Sequence, residues 1–190
     1  MEEYRRVLYN LAVDFYRGQI GYAEFFISME DAVTRYLTQA WHEGARIMGI
    51  LPDEMSTTER EELDAQIAND HSFIGGLADA IAMLHTDQAP SGKTITQRLD
   101  YWSAAYVRVR ERAKIIAGQD QKLEWVLGAA EHCRSCLRLA GKVKRASLWS
   151  KYNYSPKSHN LDCRQNCKCE LVVTDKPLSR GPLPKVGRIT

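Results

Sequence analysis

Five cysteines are the residues of this 190-residue sequence that most clearly indicate chemistry, and all five lie between positions 133 and 169. They form two groups, Cys133-x-x-Cys136 and Cys163-x-x-x-Cys167-x-Cys169. In a chain with no apolar signal segment, clustered cysteines are more often metal ligands than disulfides, and pairing would leave one thiol over. The pattern therefore predicts a metal site, with a disulfide or inert thiols as the alternatives.

Zinc is the metal that this set of ligands favours. It takes four ligands in a tetrahedron, and a Cys-x-x-Cys turn places two sulfurs on one side of the ion. The second group of cysteines offers three candidates for the remaining two positions, so the identity of the four ligands stays open. His132 and His159 are reserve ligands.

The abundance of sulfur predicts a structural site rather than a catalytic one. A catalytic zinc keeps an open coordination position beside a general base. Glu131 precedes His132, but the sequence has neither His-Glu-x-x-His nor the deaminase pattern that ends in Pro-Cys-x-x-Cys. Residues 91–94, Ser-Gly-Lys-Thr, lack the leading glycine of a phosphate-binding loop. We therefore expect a protein that is not an enzyme.

The elements that must position the cysteines begin with a helical body. Apolar residues recur at helical spacing over 4–15, 28–48, 56–84 and 94–117, and a loop is expected over 85–93. The last of these helices has a heptad seam that must pack on other helices. We interpret the basic residues on its other face as solvated; they are Arg98, Arg108, Arg110, Arg112 and Lys114.

Local signals refine these helices. Ser28 is a plausible N-cap of the second helix, and Ser56 with Glu59 forms a capping box before the third. The adjacent Gly75 and Gly76 in the third helix indicate a kink or a close helix crossing.

The predicted fold is mainly α, with a helical body and a small C-terminal α+β module. We expect zinc to hold this module together, because so small a module can scarcely build a hydrophobic core. The body spans 1–120, the module 121–175, and a basic extended tail, ordered only by a partner, 176–190. Short strands are expected over 123–127 and 169–173, and their pairing would bring the two cysteine groups together.

Charge is unevenly distributed along the chain. Residues 1–141 contain 15 lysines and arginines against 21 acidic residues, whereas residues 142–190 contain 11 against 3. A basic end on an acidic body is typical of contact with nucleic acid or with an acidic partner. A nucleic-acid-binding zinc module is therefore an alternative function, supported by basic and aromatic residues in alternation: Lys142, Lys144, Arg145, Trp149, Lys151, Tyr152, Tyr154 and Lys157.

The cysteine region resembles the C-terminal part of phage head morphogenesis proteins, the Mu F-like minor head proteins of tailed phages and prophages. In that family a strand with a tryptophan, here Trp125, leads into Cys-x-x-Cys, and a loop leads on to an Asn-Cys-Arg-Cys-like strand. Residues 166–169, Asn-Cys-Lys-Cys, fill that last element with lysine for arginine. Many members have His-Pro before it, where this chain has Cys163. Residues 41–46 and the long fourth helix also look like the helical part of such proteins.

This resemblance implies a minor capsid component, present in few copies near the portal, that acts in head assembly. Its partners would be the portal or other capsid proteins, with possible DNA contact through the basic C-terminal region. The chain would reside in the virion, after assembly in the host cytoplasm. No apolar run approaches the ~20 residues that cross a bilayer, so no membrane contact is expected. A zinc-dependent enzyme on a helical scaffold is the remaining alternative.

Overall fold

The computed structural model describes residues 1–85 and 95–186 and shows a mainly α fold with one small antiparallel sheet. The predicted fold class is therefore confirmed. The elements, in chain order, are α1 Glu2–Tyr16, α2 Tyr22–Ile47, α3 Thr57–His71, α4 Ile74–Ala82, α5 Ile95–Gly118, β1 Lys122–Val126, α6 Arg134–Leu139, β2 Val143–Arg145, α7 Ala146–Lys151 and β3 Glu170–Val173. Short 3₁₀ helices cover Pro52–Glu54, Met83–His85 and Arg164–Asn166.

The centre of the helical body is the crossing of α2 and α5. Trp41 and Val109 are fully buried there. At Gly44 a Cβ atom would lie 2.2 Å from the backbone oxygen of Arg110, so only glycine permits this close approach. Helices α1, α3 and α4 pack around the pair. The crossing fixes the position of α5, the helix on which the cysteine module rests.

Two helix boundaries differ from the sequence predictions. Helix α2 begins at Tyr22 after Gly21, not at Ser28, because Phe25 and Met29 already pack into the core. The expected 56–84 helix breaks between His71 and Ile74, ahead of the glycine pair, and Gly76 has open space around it. The Ser56 capping box is confirmed, because Ser56 Oγ accepts from Glu59 N–H and Ser56 N–H donates to the Glu59 carboxylate. Most of the expected 85–93 loop lies outside the described residues.

The sheet has the strand order β2-β1-β3, and both pairings are antiparallel. Trp125 of β1 stands opposite Leu171 of β3, so the predicted pairing of the two strands is confirmed. Strand β2 and helices α6 and α7 lie between the two predicted strands, where no helix or strand was predicted. They are short, and tertiary contacts rather than a long periodic pattern specify them.

The basic face of α5 is not solvated as predicted. Arg108 pairs with Asp70 of α3, and Arg112 holds the Glu62 carboxylate with two hydrogen bonds of 3.0 and 3.1 Å. Lys114 is buried, and its Nζ donates to the buried Glu111 carboxylate. Lys114 is buried and the arginines of this face are half-buried, because α3 and the sheet lie against it. The sequence pattern of one helix cannot show this.

The hydrophobic core continues from the helical body into the module without a break. Trp125, Trp149, Leu139 and Leu171 are buried within the module. The module therefore shares the apolar core of the body, and a metal would add to that core rather than replace it. The expectation that zinc replaces a hydrophobic core in the module is corrected accordingly.

The segment 176–186 lies against the module instead of extending freely. Its Ser179 exchanges hydrogen bonds with the backbone of Val143, and Leu183 is buried. The backbone N–H of Val186 donates to the hydroxyl of Tyr154. For these residues the expectation that only a partner would order the tail is wrong, because the chain itself supplies their contacts.

Candidate metal centre

The first half of the centre is the turn that opens α6. Cys133 is the N-cap of this helix, and its Sγ accepts from the backbone N–H of Cys136 at 3.4 Å. The turn places both sulfurs on the same side, while Cys136 is buried and Cys133 is half-buried. Burial raises the pKa of the Cys133 thiol, but hydrogen bonds from Cys136 and Cys163 outweigh this effect and lower the pKa overall.

The second half comes from the 3₁₀ helix Arg164–Asn166 and its flanks. Cys163 precedes this helix, Cys167 follows it, and Cys169 lies directly before β3. Cys136 Sγ is 3.5 Å from Cys163 Sγ and 3.6 Å from Cys167 Sγ. These distances are too long for disulfides, whose sulfurs lie ~2.05 Å apart. They are close to the ~3.8 Å edge of a tetrahedron with metal–sulfur bonds of ~2.3 Å.

All five predicted ligands are brought together in two overlapping groups. Cys133, Cys136 and Cys163 form one, and Cys136, Cys167 and Cys169 the other; within each group the sulfurs lie within 4.8 Å of one another. Cys136 belongs to both groups and is therefore the centre of the cluster. The C-terminal cysteines can thus hold a metal ion.

The two reserve ligands have different positions. His132 Nδ1 is 3.7 Å from Cys169 Sγ, so this histidine borders the cluster. His159 instead lines a cavity against α3 and α5. Within residues 1–85 and 95–186, the groups able to hold a metal contain cysteine alone, with no carboxylate. Protein sulfurs alone could therefore supply the four ligands of a metal ion.

The thiols influence each other's ionisation strongly. Hydrogen bonding to Cys167, together with burial, raises the pKa of Cys136. Burial and its thiol neighbours also raise the pKa of Cys163. The hydrogen bond from Cys136, aided by backbone N–H groups of Lys157 and Cys169, lowers the pKa of Cys167 to about 5. The cluster by itself thus favours a thiolate at Cys167, and a dication would favour ionisation of the others.

A serine–aspartate pair joins the two halves, and the sequence analysis did not identify it. Ser135 lies inside the Cys133–Cys136 turn, and Asp162 directly precedes Cys163. Asp162 Oδ2 accepts from Ser135 Oγ at 2.7 Å and from Ser135 N–H at 3.2 Å, while Asp162 N–H donates back to Ser135 Oγ at 3.3 Å. This reciprocal clamp orients the cysteines on both sides. In the sequence, the signal for this pair is that Ser135 and Asp162 each lie next to a cysteine.

Close backbone packing brings the end of β1 to the cluster. A Cβ on Gly128 would lie 1.9 Å from the backbone oxygen of Lys168. The Gly128 N–H also donates to the Cys169 sulfur, which partly offsets the effect of burial on the pKa of that thiol. Beneath the cluster, the rings of Trp125 and Trp149 lie 5.7 Å apart, and Trp149 Nε1 donates to Leu123 O at 3.2 Å.

The basic and aromatic surface expected for nucleic acid is partly buried. Trp149 is inaccessible, and Lys144 and Lys157 direct their ammonium groups at backbone oxygens of Ser179 and Gln165. These residues cannot stack on bases or contact phosphates in this structure. The expected surface is thereby reduced to the exposed basic residues around it.

The fold and the cluster define a mainly helical protein with a C-terminal thiol centre able to hold a metal. Comparison with protein-family models, with curated proteins and with solved structures gave no match. In the part of the chain that the structure describes, no helix combines the length and apolarity needed to cross a membrane.

Proposed function

We propose that the C-terminal module folds around one structural zinc ion. The observation that carries this proposal is the convergence of five thiols on Cys136, with sulfur–sulfur distances of 3.5 and 3.6 Å. A site of four sulfurs in tetrahedral arrangement is typical of zinc or of an iron–sulfur cluster. Of the two, zinc is the metal of structural sites in which four cysteines fill every coordination position.

The ligand set that the distances favour is Cys133, Cys136, Cys163 and Cys167. Cys136 has a close contact to both Cys163 and Cys167, and Cys133 shares a group with the first two. Cys169 would then be a fifth thiol, held beside His132. Loss of Cys136 should therefore abolish metal binding, whereas loss of Cys169 should weaken it less.

Metal analysis of the reduced, purified chain tests this proposal. One zinc per chain is expected, absent from Cys136→Ser and largely retained in Cys169→Ser. If the protein instead contains iron and absorbs visible light, the site holds an iron–sulfur cluster and not zinc. A metal-free chain with five reactive thiols would refute the metal centre altogether.

We further propose that the protein is a non-enzymatic minor head protein that acts in phage head assembly near the portal. The support is the sequence resemblance of residues 124–171 to Mu F-like minor head proteins, together with a cluster of five thiols that can supply all four ligands of a structural metal. Large apolar side chains that could contact other capsid proteins are exposed on the body: Tyr9, Tyr16, Tyr22, Ile27 and Phe73.

Co-expression with the portal and capsid proteins of the same genome tests this role. A complex that survives size-exclusion chromatography, or recovery of the chain in assembled heads, is expected. Heads that assemble and package normally without the chain, and never contain it, would refute the proposal. The metal analysis is independent of this outcome.

DNA contact is a second candidate for the basic C-terminal region. Arg145, Lys151, Lys168 and Lys176 are exposed, and residues 142–190 contain few acidic groups to balance them. Phosphate contacts predict binding that weakens steeply with salt. Titration of duplex DNA at about 50 and 200 mM salt should show that loss; the absence of binding at the lower salt would exclude this candidate.

A further inference from the structure

A cavity of about 510 Å³ lies where the helical body meets the cysteine module. Gln165, between two of the proposed metal ligands, is in its wall, but among the described residues no cysteine lines it. The junction of α3 and α4 contributes Phe73, α5 contributes Arg98 and Trp102, and the module contributes Lys157 and His159. Pockets of ~300–1,000 Å³ at such junctions are typical of small-molecule sites. The proposed metal ligands do not line it, and it shares only Phe73 with the apolar side chains proposed for capsid contacts.

Three donors in the cavity wall have no hydrogen-bond partner. The Nε atoms of Arg98 and Arg108 and the indole Nε1 of Trp102 are buried without a hydrogen bond among the described residues. Trp102 is only 6% exposed. Buried donors of this kind are rare in folded proteins and are usually satisfied by water or a ligand. Each of the three can donate to an acceptor and none can accept.

The charges of the cavity favour an anion. Among the described residues that line it, Arg98, Arg108 and Lys157 contribute three cations and Asp70 one carboxylate. Asp70 is committed to Arg108, and Lys157 Nζ donates to Gln165 O. The guanidinium of Arg98 has no ion pair within the described ranges. A guanidinium with a free planar edge suits a carboxylate or a phosphate.

We propose that this cavity binds a small organic anion, a carboxylate or phosphate attached to an aromatic body. Arg98 holds the anionic group, while Phe73 and Trp102 supply an apolar wall for the ring. Because the walls come from both the body and the module, the bound molecule strengthens the contact between them. This inference stands independently of the metal and of the role in assembly.

Calorimetric titration tests the proposal with two aromatic anions, AMP and 2-naphthoate, and with the uncharged 2-naphthamide. We expect one or both anions to bind and the amide to bind at least tenfold more weakly. Binding of AMP alone identifies a phosphate ligand, and binding of 2-naphthoate alone a carboxylate. Equal binding of 2-naphthoate and 2-naphthamide, or no binding of either anion at millimolar concentration, would overturn the proposal.

Variants locate the binding. Arg98→Gln should weaken the anion at least tenfold, and Ala104→Leu should block it by filling the cavity without a change of charge. Arg60→Gln, at an exposed arginine on α3 that does not line the cavity, is the control and should bind normally. Unchanged circular dichroism and metal content establish that each variant is folded. Unaltered affinity in folded Arg98→Gln and Ala104→Leu would place the ligand elsewhere.

Discussion

The buried pair of Glu111 and Lys114 on α5 is predicted to attach the sheet to the helical body. Lys114 Nζ donates to the Glu111 carboxylate at 2.7 Å and to Leu171 O at 2.9 Å, while Leu171 N–H donates to the same carboxylate at 2.9 Å. The two side chains thus satisfy both backbone groups of one residue of β3. Glu111 is fully buried and Lys114 is 4% exposed.

Replacement of Lys114 by methionine should be strongly destabilising. It breaks the buried ion pair and leaves the Glu111 carboxylate with only the half-buried Arg110, 3.3 Å away, as its counter-ion. Breaking a buried pair by removing one partner typically costs about 3–5 kcal/mol. The free energy of unfolding of a domain is only about 5–15 kcal/mol, so the loss would be a large part of it. At about 2–4 °C per kcal/mol, the melting temperature should fall by roughly 6–20 °C.

The double variant separates charge from packing. Glu111→Gln removes the charge while its amide oxygen can still accept from Leu171 N–H. Glu111→Gln with Lys114→Met should therefore be more stable than the sum of the single changes predicts, by about 1–3 kcal/mol. Lys176→Met is the matched control, because Lys176 also pairs with a glutamate at 2.8 Å but is 63% exposed. An exposed pair of this kind contributes at most about 1 kcal/mol.

Urea unfolding followed by tryptophan fluorescence measures these differences, with every variant kept reduced and at matched metal content. Hydrogen exchange at the Leu171 amide gives a local readout, because that N–H donates to Glu111. We expect faster exchange there in Lys114→Met than in Lys176→Met. Equal stability of the two single variants would refute the claim that the pair holds the sheet to α5.

Three further predictions follow from individual contacts. Gly128→Ala should cost about 1–3 kcal/mol or more in urea unfolding because Lys168 O occupies the space of the new methyl group, whereas Gly76→Ala, with open space, should be neutral or stabilising. The Arg112 hydrogen bond lowers the pKa of Glu62 below its usual value of 4.5. The pair of Glu62 and Arg112 therefore stabilises the folded protein above that pH, and this stabilisation is lost as the pH falls through the lowered pKa. Glu62→Gln should therefore destabilise the protein by about 1 kcal/mol at pH 7 and have no effect near pH 2; an equal effect at both would contradict the assignment. Asp162→Asn should lower zinc affinity about 10–100-fold in a chelator competition. Unchanged affinity would show that the hydrogen bonds of Asp162 do not position the metal ligands.

The chemistry of the candidate site was accessible from the sequence because cysteine is rare and its spacing is informative. The two groups at 133–136 and 163–169 predicted a common centre, and the pairing of β1 with β3 that brings them together is confirmed. Strong local signals, such as the Ser56 capping box, were also reliable. These features depend on residues close in sequence, so a pattern search can detect them.

Features that depend on contacts distant in sequence were not predictable. The basic face of α5 had the pattern of a solvated surface, but α3 and the sheet lie against it and give Arg108, Arg112 and Lys114 specific partners. Trp149 and Lys144 looked available for nucleic acid and are buried. A charged or aromatic residue has the same sequence pattern whether solvent or another element lies against it.

The sequence by itself determined the helical body, the paired strands and the five sulfurs as metal ligand candidates, because local periodicity and residue type specify them. Only the tertiary structure decided that Cys136 is the centre of the cluster, that Ser135 and Asp162 join its halves, and that a cavity lies between body and module. Those relations are distances between segments far apart along the chain, and the packing of the whole core sets them.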